Sequence, residues 1–195
     1  MKKIVITGGI GSGKSVISHI LRLLGYEVYD CDANAKMLMN HSSVIHEGLT
    51  SLFGADVYDK FGNLNKAKLS DIIFNDKSAL HKVNAIVHPV VKSDIQEKID
   101  NCTDSVFFIE TALPHESGLD AMCNNVWLIK APEETRVSRV MTRNGVTSEE
   151  VKARIKNQNF AQIDNPNITE IINDDSNAVL PQIISRLSQL KIFKD

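Results

Sequence analysis

A three-layer α/β fold on a mostly parallel, five-stranded sheet is what the sequence predicts, and two observations predict it. Short apolar runs rich in β-branched and aromatic residues recur along the chain with helix-period segments between them, the pattern of strand–helix–strand units whose sheet is covered on both faces. A glycine-rich loop joins the first of these runs to the first helical segment, which puts a tight turn at the carboxyl end of a strand.

The elements follow in order. Lys3 to Thr7 (KIVIT) is apolar at successive positions and reads as a central strand. Lys14 to Leu24 carries Val16, Ile17, Ile20, Leu21 and Leu24 at helical spacing, with Gly25 as its stop. Glu27 to Tyr29 is a second strand, followed by Asp30-Cys31-Asp32 and a helical stretch through Met39. From about Ser42 to Asn101 the pattern is helical with no convincing strand, broken at Gly54, Gly62 and Pro89. Val106 to Ile109 (VFFI) and Val126 to Ile129 (VWLI) supply two further central strands. Pro132-Glu133-Glu134 opens a helix bearing Arg136, Arg139 and Arg143, and Thr147 with Glu150 has capping-box spacing for a second helix to about Gln158. Glu170 to Ile172 and a helix from about Asn177 to Leu190 close the chain. The expected organisation is one domain: core segments 1–40, 103–132 and 166–195, a helical substrate-binding insertion over about 41–102, and a helical lid over about 133–165.

Composition narrows the function classes. The 195 residues are 43% hydrophobic and 24% charged, ordinary for a globular chain, and the net charge of -2 lacks the basic excess of a general nucleic-acid binder. There is no apolar run of membrane-spanning length and Met1-Lys2-Lys3 leads straight into a strand, so a cytoplasmic protein without a membrane or nucleic-acid partner is expected. Cys31, Cys102 and Cys123 lack CxxC spacing, which disfavours a disulfide framework or structural zinc.

The chemistry is concentrated in Gly8-Gly9-Ile10-Gly11-Ser12-Gly13-Lys14-Ser15, a full match to G-x-x-x-x-G-K-[ST] lying between a strand and a helix. Its glycines let backbone N–H groups converge on phosphate oxygens, and the positive end of the helix faces the same point. Lys14 is expected on the β- and γ-phosphates of ATP and Ser15 on Mg²⁺, with Gly8, Gly9, Gly11, Ser12, Gly13 and Val16 completing the nucleotide contacts. A dinucleotide fingerprint fails because lysine stands at position 14, and the guanine-reading N-K-x-D is missing because Ala67-Lys68 follow Asn65-Lys66. An insertion after the second strand and an arginine-rich helix pair after the fourth suit an acceptor pocket and a closing lid that excludes water. Arg139 and Arg143 share a helix face and are expected over the transferred phosphoryl group, Arg143 nearer the loop; a solvated basic face is the plainer alternative.

The string Thr7 to Ser15, Asp30-Cys31-Asp32, His88-Pro89, and Arg139-x-x-x-Arg143 with Gln158 resembles the dephospho-coenzyme A kinase family over nearly the full length. The resemblance implies transfer of the ATP γ-phosphate to the ribose 3′-hydroxyl of dephospho-coenzyme A, the last step of coenzyme A synthesis. It implies Asp32 as general base, a position that also suits a helix N-cap, and His88 as part of the acceptor site, where a structural histidine before proline is the alternative. Glu110 is similar to the acid after the third strand that would serve Mg²⁺ or the acceptor, with Asp30 either supporting the metal through water or merely ending the second strand. Asn173 matches an asparagine on the adenine side. The sequence departs from the family at Glu110-Thr-Ala-Leu-Pro-His-Glu116 and at Asp175, where glycine is common.

Overall fold

The computed structural model describes residues 1–158 and 163–192. They fold into two compact units, Met1–Asp30 with Thr103–Asp195, and Cys31–Cys102.

The first unit holds five strands, β1 (Lys2–Gly8), β2 (Val28–Asp30), β3 (Val106–Glu110), β4 (Asn125–Lys130) and β5 (Ile168–Ile172), in the order β2-β3-β1-β4-β5. Every pairing is parallel. The register sets Ile6 level with both Glu110 and Trp127, and Asp30 level with Glu110, so the carboxyl ends of β1, β2 and β3 come to one edge of the sheet. In an open parallel sheet that edge is where a ligand finds room.

One sheet face carries Ile4, Ile6, Val28, Phe108, Trp127, Ile129 and Ile171 against α1 (Lys14–Leu23) and α10 (Val179–Gln189), which contribute Ile17, Leu21, Ile183 and Leu187. Val5 and Phe107 point to the opposite face and are also fully buried; α7 (Leu119–Met122), after the short α6 (Pro114–Ser117), packs there on β1. The sheet is buried on both faces, as the unbroken apolar runs require. After β4, α8 (Glu133–Asn144) and α9 (Ser148–Asn157) pack through Val137, Val140 and Val151, with Ile10 of the glycine-rich loop against the same cluster.

The second unit is helical: α2 (Cys31–His41), α3 (Ser43–Phe53), α4 (Lys66–Asn75) and α5 (Lys77–Asn101). Gly54 ends α3, as the sequence indicates. Pro89 does not end a helix; it lies inside the 25-residue α5. Val83, Val87, Val91, Ile95 and Ile99 make a buried stripe at four-residue spacing on both sides of an exposed Pro89, and that burial outweighs the hydrogen bond the ring removes. A Cβ on Gly48 of α3 would stand 3.0 Å from Ile86 of α5, a close helix approach that only a small residue permits. Because α2 packs on α3 and α5, this unit starts at Cys31, about ten residues before the boundary read from the sequence.

Candidate active site

The loop between β1 and α1 is shaped by glycines whose backbone a side chain would not tolerate. Gly11 (φ 78°) and Gly13 (φ 92°) are left-handed, and Gly13 is the residue that caps α1. A Cβ on Gly11 would lie 2.6 Å from the Arg136 carbonyl oxygen, and one on Gly13 would collide with Asn173 Nδ2. Lys14 folds back so that its Nζ donates to the Gly8 carbonyl at 2.8 Å. Ser12, 1% exposed, has an Oγ with no hydrogen-bond partner among the described residues. The Val16 amide is taken up in the first helical turn, donating to Gly13 O at 3.0 Å.

Side chains from α8, from Gln158 after α9 and from the turn after β5 hold the outer side of the loop. Arg136 Nε donates to Ile10 O at 2.9 Å, and Gln158 Oε1 accepts from Ile10 N at 2.7 Å. Asn173 Nδ2 donates to Ser12 O at 2.8 Å. Arg139 reaches Gly11 O at 3.5 Å and Asn173 O at 3.0 Å, and pairs with the Asp175 carboxylate. Asp175 adopts φ 65°, which explains why glycine suits that place; here the aspartate accepts the left-handed backbone and adds an anion beside Arg139. The expectation that Arg143 stands nearest the loop is corrected. Arg143 is exposed in the last turn of α8 with its Nε on Asn144 Oδ1 at 2.9 Å, while Arg136, three residues before Arg139 on the same face, reaches the loop. Sequence reasoning passed over Arg136; its only signal was that spacing. Glu150 closes a reciprocal capping box with Thr147, which draws its carboxyl below the usual range, with Arg154 a lesser influence.

The acids at the strand ends form the second part of the site. Glu110 is 9% exposed and its Oε2 has no hydrogen bond among the described residues. Burial pushes its carboxyl up; Ser18 beside it pulls the other way without closing a hydrogen bond of good geometry, the Asp30 charge raises it further, and Lys14 and Arg22 lower it. A buried, incompletely bonded carboxylate beside a second acid and a phosphate loop is the donor set a hard cation uses. Mg²⁺ keeps several waters and phosphate oxygens, so it does not need the cluster of three or more His, Cys, Asp or Glu side chains that is absent among the described residues. The residues present therefore fit Mg²⁺, with Ser15 following Lys14 at the start of α1.

Asp32 and His88 belong to the helical unit. Asp32 is exposed in the first turn of α2, which begins at Cys31, so the place before the helix is held by Asp30 and the N-cap reading of Asp32 is corrected. Its charge in that turn complements the helix dipole. His88 is half-buried one residue before Pro89 in α5. A hollow of about 540 Å³ lined by Glu133, Val137, Met141 and Lys152 lies along α8 and α9 and includes none of the loop residues.

A family model described as Dephospho-CoA kinase matches residues 3–179. A dephospho-CoA kinase of Porphyromonas gingivalis is 42% identical over 162 residues, 83% of this chain and 80% of the relative. Among solved structures, TT1252 of Thermus thermophilus superimposes with a TM-score of 0.78 at 31% identity, covering 97% of this chain and 96% of the other. A dephospho-CoA kinase from Campylobacter jejuni does so with a TM-score of 0.65 at 26% identity, covering 98% of each.

Proposed function

The chain belongs to the dephospho-CoA kinase family, and on that premise we propose that it transfers the γ-phosphoryl group of ATP to the ribose 3′-hydroxyl of dephospho-coenzyme A. The observation that carries this reading is the strand-end constellation: a glycine loop opening α1, Lys14 folded over it, and the buried acid Glu110 level with Asp30 on the neighbouring strand.

In this reading the loop amides and Lys14 bind the β- and γ-phosphates, with Gly8, Gly9, Gly11, Ser12, Gly13 and Val16 lining the nucleotide and Asn173 on the adenine side. Ser15 would hold Mg²⁺, with Asp30 or Glu110 supporting it through water. The cation, when bound, neutralises charge on the β- and γ-phosphates. Asp32 orients the acceptor hydroxyl and takes its proton as the oxygen attacks phosphorus; the bond to the β-phosphate oxygen breaks, and ADP leaves. Arg139, which reaches the loop at Gly11 O, offsets the charge on the transferring group, and His88 and Glu110 are each assigned a contact with the acceptor. A closed lid keeps water from competing as the acceptor. The reading assigns the enzyme to the cytoplasm, with small molecules as its partners. No helix among the described residues is long and apolar enough to cross a membrane.

ADP release from MgATP, followed with dephospho-coenzyme A and in parallel with AMP, UMP, shikimate and no acceptor, tests the assignment. Release with dephospho-coenzyme A alone is expected. Release with a different acceptor would replace the substrate, and silence throughout would replace catalysis with a non-catalytic nucleotide-binding role.

A further inference from the structure

Six consecutive carbonyls of the phosphate loop each accept a hydrogen bond. Gly8 O takes Lys14 Nζ, Gly9 O takes Ser12 N at 3.0 Å, and Gly13 O takes Val16 N at 3.0 Å, all within the loop and its helix. The three between are held from outside: Ile10 O by Arg136, Gly11 O by Arg139 and Ser12 O by Asn173. A trans peptide points its C=O and the following N–H in opposite directions. Holding Ile10 O against α8 therefore turns the Gly11 N–H away from α8, and holding Ser12 O on Asn173 turns the Gly13 N–H away from Asn173. Neither of those N–H groups has a protein acceptor among the described residues, whereas the intervening Ser12 N–H is bonded to Gly9 O. Ile10 is gripped on every side: carbonyl on Arg136, amide on Gln158, side chain against Val137, Val140 and Val151. The same guanidinium covers Gly9, where an added Cβ would meet Arg136 Cζ at 2.6 Å.

We infer that Arg136 is a positioning residue for phosphoryl transfer, holding the Ile10–Gly11 peptide so that the Gly11 N–H faces a phosphate of the nucleotide. This role differs from that of a lid cation, because the side chain acts on the carbonyl side of the loop and touches no reacting atom. It rests on the reading that the loop binds ATP phosphates.

The test uses Arg136→Met, which keeps an unbranched stem and removes the donor, and reads KM for MgATP, KM for dephospho-coenzyme A, and inhibition constants of inorganic tripolyphosphate and adenosine. Weakening of about tenfold for MgATP and tripolyphosphate, the loss of one ordinary hydrogen bond, is expected, with adenosine and the acceptor unchanged within about twofold. Gly9→Ala, whose methyl displaces the guanidinium from the other side, is expected to give the same pattern and serves if the Arg136 variant does not fold. Equal weakening of all four ligands, or none, in either folded variant overturns the inference. Wild-type protein that is insensitive to tripolyphosphate overturns the loop reading and the inference with it.

Discussion

Glu110 is a buried carboxyl at the strand ends whose Oε2 has no hydrogen bond among the described residues. Its folded-state pKa lies above the ordinary value of 4.5, chiefly from burial. A group raised in this way lends stability below its unfolded pKa and withdraws it as the pH climbs through the folded one. Urea unfolding without nucleotide should therefore show wild-type protein losing stability relative to Glu110→Gln as pH rises from about 4.5 through the raised value. A parallel course for the two proteins would mean that the carboxyl titrates normally. In turnover the same variant should lose about a hundredfold in kcat, as befits removal of one charged ligand from a phosphoryl-transfer site. Asp32→Asn should leave the Kd for MgATP within about twofold and lower kcat by roughly a hundredfold or more, since only the proton acceptor is removed. Unimpaired transfer by Asp32→Asn would take that residue out of the mechanism.

At the scale of elements, caps and packing set the limits of the helices. Thr147 and Glu150 satisfy each other's backbone groups at the start of α9. Thr147→Ala should cost about 1 kcal/mol in chemical denaturation, and Glu150→Gln, which keeps the reciprocal bond, clearly less. Equal costs would show that the charge of Glu150 matters more than the box. In α5 local sequence and tertiary context oppose each other. Proline read alone marks a break, but the valine and isoleucine stripe continues past it and the helix continues with the stripe. The stripe was visible in the sequence; its authority over Pro89 was not, because it depends on what α2, α3 and α4 place against it.

For the whole molecule, two compact units give a way to watch one of them separately. Trp127, the single tryptophan, is fully buried in the sheet core among Phe108, Ile129 and Ile171, so its emission reports the first unit, whereas helical circular dichroism reports both. MgATP at about a hundredfold over its Kd should stabilise the Trp127 transition by about 2.7 kcal/mol, and Lys14→Ala should remove most of that gain. A tryptophan transition that ignores MgATP would argue against nucleotide binding in the first unit.

By itself the sequence determined the succession of the five strands and of the longer helices that flank them, the glycine loop after the first strand and the acids at strand ends. Each depends on a local cause: apolar periodicity, a backbone conformation open to glycine, or the residue that follows a strand. Tertiary structure decided which arginine meets the loop, that Asn173 bonds a loop carbonyl, and that α2 joins the helical unit. Those outcomes depend on how helices are rotated and packed against partners distant in the chain, and about two turns of α8 separate a guanidinium that reaches Ile10 from one that faces solvent.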